Sequence, residues 1–414
     1  MKNIVYIESN RDGTIGGSYY CLLEIVKHVD RDKYNPLVIF HDNNTLIPEF
    51  ERYSKVIILK NKKKGLVLKT DYPLLYQHAG KYPFVKPLLT FYQKMHNLIR
   101  YVVPYYFEIL SIMIKCKIDI VHLNDAPKLT EWLVASKLFG AKCISHLRGD
   151  WAATPFQTSM LKYYDRIIPI SHSVASSVEK QKIDTRNFIT IHDGIDIAAV
   201  LKKQHDNNAA LKKEFHIPDD TCILGLIGNI KEWKGQHVAV EAMKILKRDN
   251  AHVKCLIIGA VSHLEEDKNY YEYLRKQVAD YGLGDTVTFT GFRSDIPDLI
   301  SLVDIIIHTS VQPEPMGRVV LEGMLFSKPV IATAHGGPRE IIEDGVSGFL
   351  VPQADPQSLA DKIQYLLAHH DARQRVGAAA RKRVEDVFNI GSNVKAIERV
   401  YESLFGTDCL LTTC

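Results

Sequence analysis

DIIIHTSVQPEPMGRVVLEGMLFSKPVIATAHGGPRE, residues Asp304–Glu340, decides the fold. Ile305–His308 and Val330–Thr333 are apolar runs with the length of buried strands, too short to span a membrane. Between them a Pro-punctuated loop leads to a helix beginning near Gly317, and the Gly336-Gly337 turn opens another helix. Two such strands separated by one helix are adjacent and parallel, so the loops that follow them emerge on one rim of a sheet. That rim is where open α/β sheets bind ligands.

On this rim Glu314 and Glu322 stand with seven residues between them, Glu314 just before the helix and Glu322 about two turns into it. Gly317 permits close backbone approach, and the amides of Gly317, Arg318 and Val319 lie at the positive end of the helix. A diphosphate suits such an end. The pattern P-x-G-x-x-x-L-E is formed by Pro315, Gly317, Leu321 and Glu322, and KPVIAT and GGPREII follow in order. In these residues the chain resembles the retaining glycosyltransferases of the GT-B fold, family four.

The resemblance covers nearly the whole chain. It implies an α/β architecture of two Rossmann-like domains whose parallel sheets face across a cleft. Residues 1–198 would form the acceptor-binding domain, 199–385 the nucleotide-sugar-binding domain, and 386–414 a helix crossing back to the first. A chain of 414 residues fits two cores better than one. The polar run KKQHDNNAALKKEF reads as the linker.

Outward from the signature, TCILGLIGNIKEWKGQ reads as a strand (Ile223–Ile227) ending at Gly228, then a loop, then a helix starting at Gly235. Lys234 is thereby delivered to the same rim as Glu314. The family commonly adds an Arg after Gly228. Here Asn229 stands instead, with Lys231, Arg148 and Arg318 as possible substitutes. In VTFTGFRSD, similar enzymes contact the nucleotide base, which implies that role for Gly291, Phe292 and Arg293.

In the N-terminal half, the strand Asn3–Ser9 leads through RDGTIGGS to a helix over Tyr19–His28 with Ser18 as its cap. The glycine spacing is not G-x-G-x-x-G, so a dinucleotide site is not indicated. The resemblance places Gly16 and Gly17 near the donor phosphates. Asp119–Asp125 and Cys143–Trp151 read as further strands, and similarity gives His146 a donor-sugar contact. His192 and Asp193 replace the family's usual Pro-Asn.

The implied reaction moves a sugar, most often from UDP, to a glycan or lipid-linked acceptor in cell-surface polysaccharide synthesis, with retention of configuration. Glu314, Lys234 and His146 would be catalytic. Gly16, Gly17, Gly228, Asn229, Lys234, Gly291, Phe292, Arg293, Glu314, Met316, Gly317, Arg318, Val319 and Glu322 would hold the donor. No Asp-x-Asp stands on the expected rim, and Asp184, Asp193 and Asp196 lack the fitting context, so neither metal nor cofactor is expected. Two alternatives share these residues: a GT-B epimerase or hydrolase acting on sugar nucleotides, and a non-catalytic sugar-nucleotide-binding membrane adaptor.

Composition sets the compartment. The seven cysteines form no Cys-x-x-Cys pair, which argues for reducing cytoplasm and against structural zinc. MKNIVYIES lacks the apolar core of a signal peptide. Residues 60–117 hold eleven Lys or Arg against Asp71 and Glu108, interleaved with Tyr and Phe. That mixture suits an anionic membrane surface, with the protein peripheral on its inner face. No nucleic-acid motif accompanies the charge. Ile99, Val103, Tyr106, Leu110 and Met113 recur at helical spacing and read as the core-facing stripe of a helix.

Overall fold

A computed structural model describes residues 1–8, 16–59, 67–79, 82, 84–205, 207–249 and 251–406. The chain divides into two compact units, Met1–Ile168 with Gln181–Ile189 and Glu398–Cys414, and Pro169–Lys180 with Thr190–Ile397. The expected boundary after residue 198 thus falls inside the second unit, and the expected terminal segment is divided at Glu398.

In the first unit, β1 (Lys2–Ile7), β2 (Tyr34–Phe40), β3 (Lys55–Ile58), β4 (Ile120–Leu123), β5 (Lys142–Leu147) and β6 (Arg166–Pro169) stand in the order β3-β2-β1-β4-β5-β6. Pairing from β3 through β5 is parallel. Strands covered by helices on both faces need near-continuous apolar runs. The sequence supplies them: Ile4, Val5, Tyr6 and Ile7 are wholly buried. β1 stops at Ile7, and the expected strand end Ser9 lies outside the described residues, as do residues 10–15. The helix Gly17–His28 then buries Cys21, Leu22, Ile25 and Val26, a stripe at i, i+4 spacing. Its N-cap is Gly16 rather than Ser18.

The basic aromatic region forms helices Pro73–Ala79 and Val85–Asn97, a π-helical turn Leu98–Val102 and the helix Val103–Lys115. Lys60, Lys62, Lys63 and Lys64 lie outside the described residues. The expected stripe reaches the core only at its far end. Met113 is 2% exposed, whereas Ile99 is 64% exposed.

In the second unit, β7 (Cys222–Ile227), β8 (Val253–Ile258), β9 (Val287–Gly291), β10 (Ile305–His308), β11 (Val330–Thr333) and β12 (Phe349–Val351) stand in the order β12-β11-β10-β7-β8-β9, paired in parallel throughout. Phe349–Val351 is the parallel edge strand beside β11. Phe349 packs edge-on against Tyr365 of the helix Pro356–Ala368, and that contact anchors so short a strand. The helix Arg318–Leu325 lies close on β10, because a Cβ at Gly323 would come within 2.8 Å of Ile306.

Both sheets are wound alike. Counting strands within each, the order is 3-2-1-4-5-6, which reverses direction between the first and fourth strands. The ligand-binding switch points are therefore β1/β4 in one unit and β7/β10 in the other.

Candidate functional site

At the β7/β10 switch point the loop after β7 ends in a 3-10 turn, Glu232–Lys234, and Gly235. Gly235 has φ +68°, and a Cβ there would lie 2.0 Å from the carbonyl oxygen of Thr309. Only glycine lets this loop rest on the one after β10. Thr309 Oγ1 donates to the Lys234 carbonyl (3.1 Å), and the Val311 amide donates to that of Trp233 (2.8 Å). The Lys234 ammonium, over the Trp233 ring (4.2 Å), is thereby aimed at the carboxylate of Glu314, with which it forms a close ion pair.

Glu314 is fixed from the other side by the turn after β11. The Gly337 amide donates to the Glu314 carbonyl (2.7 Å), and Gly336, at φ +70°, comes so near that a Cβ would sit 2.3 Å from the same oxygen. Ser171 Oγ donates to the next carbonyl, Pro315 (2.7 Å). Around the carboxylate stand Ser310 Oγ (3.3 Å) and His308 Nε2 (3.4 Å). Burial alone would raise the Glu314 pKa. The His308 hydrogen bond and the Lys234 charge outweigh it and hold the carboxyl at about 2, ionised at any physiological pH. An ion pair this far from water contributes little net stability, since desolvation offsets most of the attraction. What the pair offers is a positioned cation and a positioned acceptor.

Beside them begins the helix Arg318–Leu325, whose first amides have no acceptor within the helix. Its N-cap Gly317 has φ +90°, and the Met316 side chain is buried, leaving the backbone as what that residue can offer. Glu322, one turn on, is 3.8 Å from Arg318 Nη2. Burial raises its carboxyl above the usual range, against the charges of Arg318 and Lys203.

The same unit explains one departure from the family pattern. His192 Nε2 lies 2.7 Å from Glu340, whose carboxylate also accepts from the amides of His172 and Ser173 (both 2.8 Å). Burial works against the Glu340 charge, but His192 and those amides hold its pKa below the ordinary carboxylate value. His172, His192 and Glu340 have ligand-like spacing, within 4.8 Å. Both Glu340 oxygens already accept from the first two amides of the helix His172–Glu179, beside its N-cap Ser171, whose side chain accepts from the Val174 amide.

The structure thus brings Lys234 to Glu314 and Arg318 to Glu322, with the first-turn amides between. Gly228 and the exposed Asn229 lie on the same β7 loop, and Gln236 donates to the Asn229 carbonyl (3.0 Å). Lys231, one of the cations considered for the missing Arg, pairs with Asp267 (3.6 Å). Gly291 ends β9 at φ +72° and Phe292 is 77% exposed. Arg293 is clamped by Glu214 and Asp295 (both 2.6 Å).

In the first unit, Gly16 and Gly17 meet nothing within 4 Å of a Cβ and neither has a positive φ, so packing among the described residues does not demand glycine there. His146 is wholly buried at the end of β5. At the β1/β4 switch point, Asn124 donates to Glu8 (2.7 Å) and Arg148 Nε donates to the Asn124 carbonyl (2.8 Å). Glu8, Asn124, His122, Tyr401, His308 and Ser310 escape the sequence reading. Most of them share one signal, a polar residue in or just past a buried strand, as in IIIHTS, VHLND and VYIES.

Comparison with known proteins extends these observations. A family model for glycosyl transferases group 1 matches residues 207–383, and one for Glycosyltransferase Family 4 matches residues 15–199. An uncharacterized glycosyltransferase, MJ1069 of Methanocaldococcus jannaschii, is 23% identical over 94% of this chain and 95% of its own length. The capsular polysaccharide biosynthesis glycosyltransferase CapM of Staphylococcus aureus is 26% identical over 57% of this chain and 61% of its own. HepE of Anabaena, solved with UDP-glucose, is 22% identical and superposes with a TM-score of 0.72, covering 97% of this chain and all of that one (100%). One matched segment holds Lys234, Glu314 and Glu322 and the other holds His146, and the chain belongs to the group 1 glycosyl transferases, family 4, with their GT-B fold.

Proposed function

We propose that this glycosyltransferase moves a sugar from a UDP-sugar to a glycan or lipid-linked acceptor during cell-surface polysaccharide synthesis, retaining the anomeric configuration and using no metal. The second unit would hold the donor and the first the acceptor. The observation that carries the proposal is the contact of Lys234 with Glu314 beside the first amides of the helix Arg318–Leu325.

As the bond from sugar to diphosphate breaks, negative charge grows on the departing phosphate. A cation and backbone amides already in place stabilise that charge more than they stabilise the bound donor, which is the condition for lowering the barrier. Lys234 and the amides of Gly317, Arg318 and Val319 fill this role, one that a metal ion serves in other transferases. Glu314, ionised and held from three sides, accepts hydrogen bonds from sugar hydroxyls. Glu322 takes the ribose hydroxyls. The leaving phosphate accepts the acceptor proton on the same face as it departs, which yields retention.

UDP as carrier is supported by HepE, which was solved with UDP-glucose, and a polysaccharide product by the likeness to CapM. A lipid-linked acceptor is supported by the helix Val85–Asn97, which has no buried residue. Phe84, Leu88 and Phe91 are 88%, 67% and 62% exposed among Lys86 and Lys94, a surface suited to anionic lipid. Among the described residues no helix is long and apolar enough to cross a membrane, so attachment would be peripheral.

A thermal-shift screen of nucleotide-sugars, followed by product analysis with membrane extracts, tests the proposal. It predicts stabilisation by a UDP-sugar and an α-linked product from an α-linked donor. An inverted product would refute retention. Rapid release of nucleotide without acceptor would favour the epimerase or hydrolase alternative.

A further inference from the structure

His146 ends a chain of hydrogen-bonded rings inside the first unit. Tyr6 on β1 and His122 on β4 are register partners, and His146 stands two residues beyond Ile144, the β5 partner of His122. All three side chains therefore leave the same face of the sheet. Tyr401, from the helix Ile390–Ser403, lies over them. Tyr6 Oη is 3.2 Å from Tyr401 Oη, Tyr401 Oη is 2.6 Å from His122 Nδ1, and His122 Nε2 is 2.7 Å from His146 Nδ1. All four side chains are 0% exposed. The outer nitrogen of His146, Nε2, has no hydrogen-bond partner among the described residues.

Such a chain has two self-consistent proton orders. In the first, Tyr6 donates to Tyr401, Tyr401 donates to His122 Nδ1, and His122 Nε2–H donates to His146 Nδ1, so His146 carries its proton on Nε2. In the second every bond reverses. Tyr6 must then point its hydroxyl hydrogen at no acceptor among the described residues, and His146 Nε2 is left bare. The first order strands one buried polar group and the second strands two, so the first prevails. Burial, reinforced by the nearby Arg148 charge, lowers the His122 pKa to about 3 and that of His146 well below its ordinary value. Both rings are thus neutral, and the chain sets a tautomer rather than a charge.

We infer that Tyr401 and His122 are positioning residues that hold the His146 proton on Nε2, so that His146 offers a hydrogen-bond donor to an oxygen of the sugar substrate, a role resting on the transfer proposed above. A residue near the C-terminus thereby helps govern a group at the end of β5.

Nitrogen-15 NMR of the full-length protein with labelled histidine reads the tautomer without turnover, the His146 signals being assigned by their loss in His146→Gln. The expected wild-type result is a protonated Nε2 and a bare Nδ1 on His146. Tyr401→Phe should disturb that order, because His122 Nδ1 loses its donor, while Tyr6→Phe should preserve it. A wild-type His146 protonated on Nδ1, or a His146 spectrum unchanged in Tyr401→Phe, overturns the inference. In turnover Tyr401→Phe should lower kcat/KM about tenfold, the value of one well-made hydrogen bond, and Tyr6→Phe by less than about twofold. Equal losses in the two variants would reduce the effect to core packing and overturn it as well. A wild type with the stated tautomer but no transfer activity would count against the proposed reaction instead.

Discussion

The two sheets share one strand order but equip their switch points differently. At β7/β10 a cation and a carboxylate meet, held by loops that approach through Gly235, Gly336 and Gly337. Beside β1/β4 stand Glu8, Asn124 and the neutral chain that ends at His146. A departing diphosphate calls for charge fixed in advance, whereas a hydrogen bond to one chosen oxygen calls for a donor of defined direction. The same winding can supply either, and the residues just past the strand ends decide which.

The contrast is broken most directly by deletion at each point. Lys234→Ala should lower kcat/KM for the nucleotide-sugar by about 10²–10³, the cost of removing a preorganised donor, with a thermal midpoint shifted by only a few degrees. His146→Ala should cost about ten- to thirtyfold, as one neutral hydrogen bond does. Equal losses would erase the distinction.

Acid stability separates the two sites next, each ionisation contributing about 1.4 kcal/mol per pH unit within its window. His122 is depressed from 6.5 to about 3, so its burial supports folding above pH 6.5, and that support is lost as pH falls from 6.5 towards 3. Glu314 is depressed from 4.5 to about 2, so its contribution is complete above 4.5 and disappears only between 4.5 and 2. Hydrogen exchange followed against pH should show protection around His122 weakening before protection around Glu314. The reverse order would contradict both assignments.

Glu322→Ala should raise the donor KM about tenfold with a smaller change in kcat, since ribose contacts serve ground and transition states alike. A fall in kcat at constant KM would move Glu322 into the chemistry. The smallest effect concerns the exposed helix of the first unit. Phe91→Glu should reduce cosedimentation with anionic vesicles about two- to fivefold and leave transfer to a water-soluble acceptor unchanged.

Much of the second sheet is legible in the sequence because its signals are local. The residues Ile305–His308 and Val330–Thr333 begin and end as their apolar runs do, and Gly317 and Gly235 mark the helix starts. β12 is missed because three residues carry no periodicity, and its identity comes from its parallel pairing with β11. The pairing of Glu314 with His308 and Ser310 is hidden for a different reason: it depends on a turn geometry that only the glycine contacts set. The chain from Tyr6 to His146 joins residues 395 positions apart at one of its links, and no local pattern announces such a contact. The Ile99–Met113 stripe is correct as periodicity but fails as burial at its start, where periodicity alone does not say what covers the face.

The central claim is that Lys234 meets the diphosphate of an activated sugar whose hydroxyls donate to Glu314. Titration calorimetry with the nucleoside diphosphate chosen by thermal shift, and with the matching nucleoside, isolates that contact. Wild-type protein should bind the diphosphate about a hundredfold more tightly than the nucleoside, and Lys234→Ala should remove most of that difference while leaving nucleoside affinity intact. A Lys234→Ala protein that kept the full wild-type preference would contradict the account.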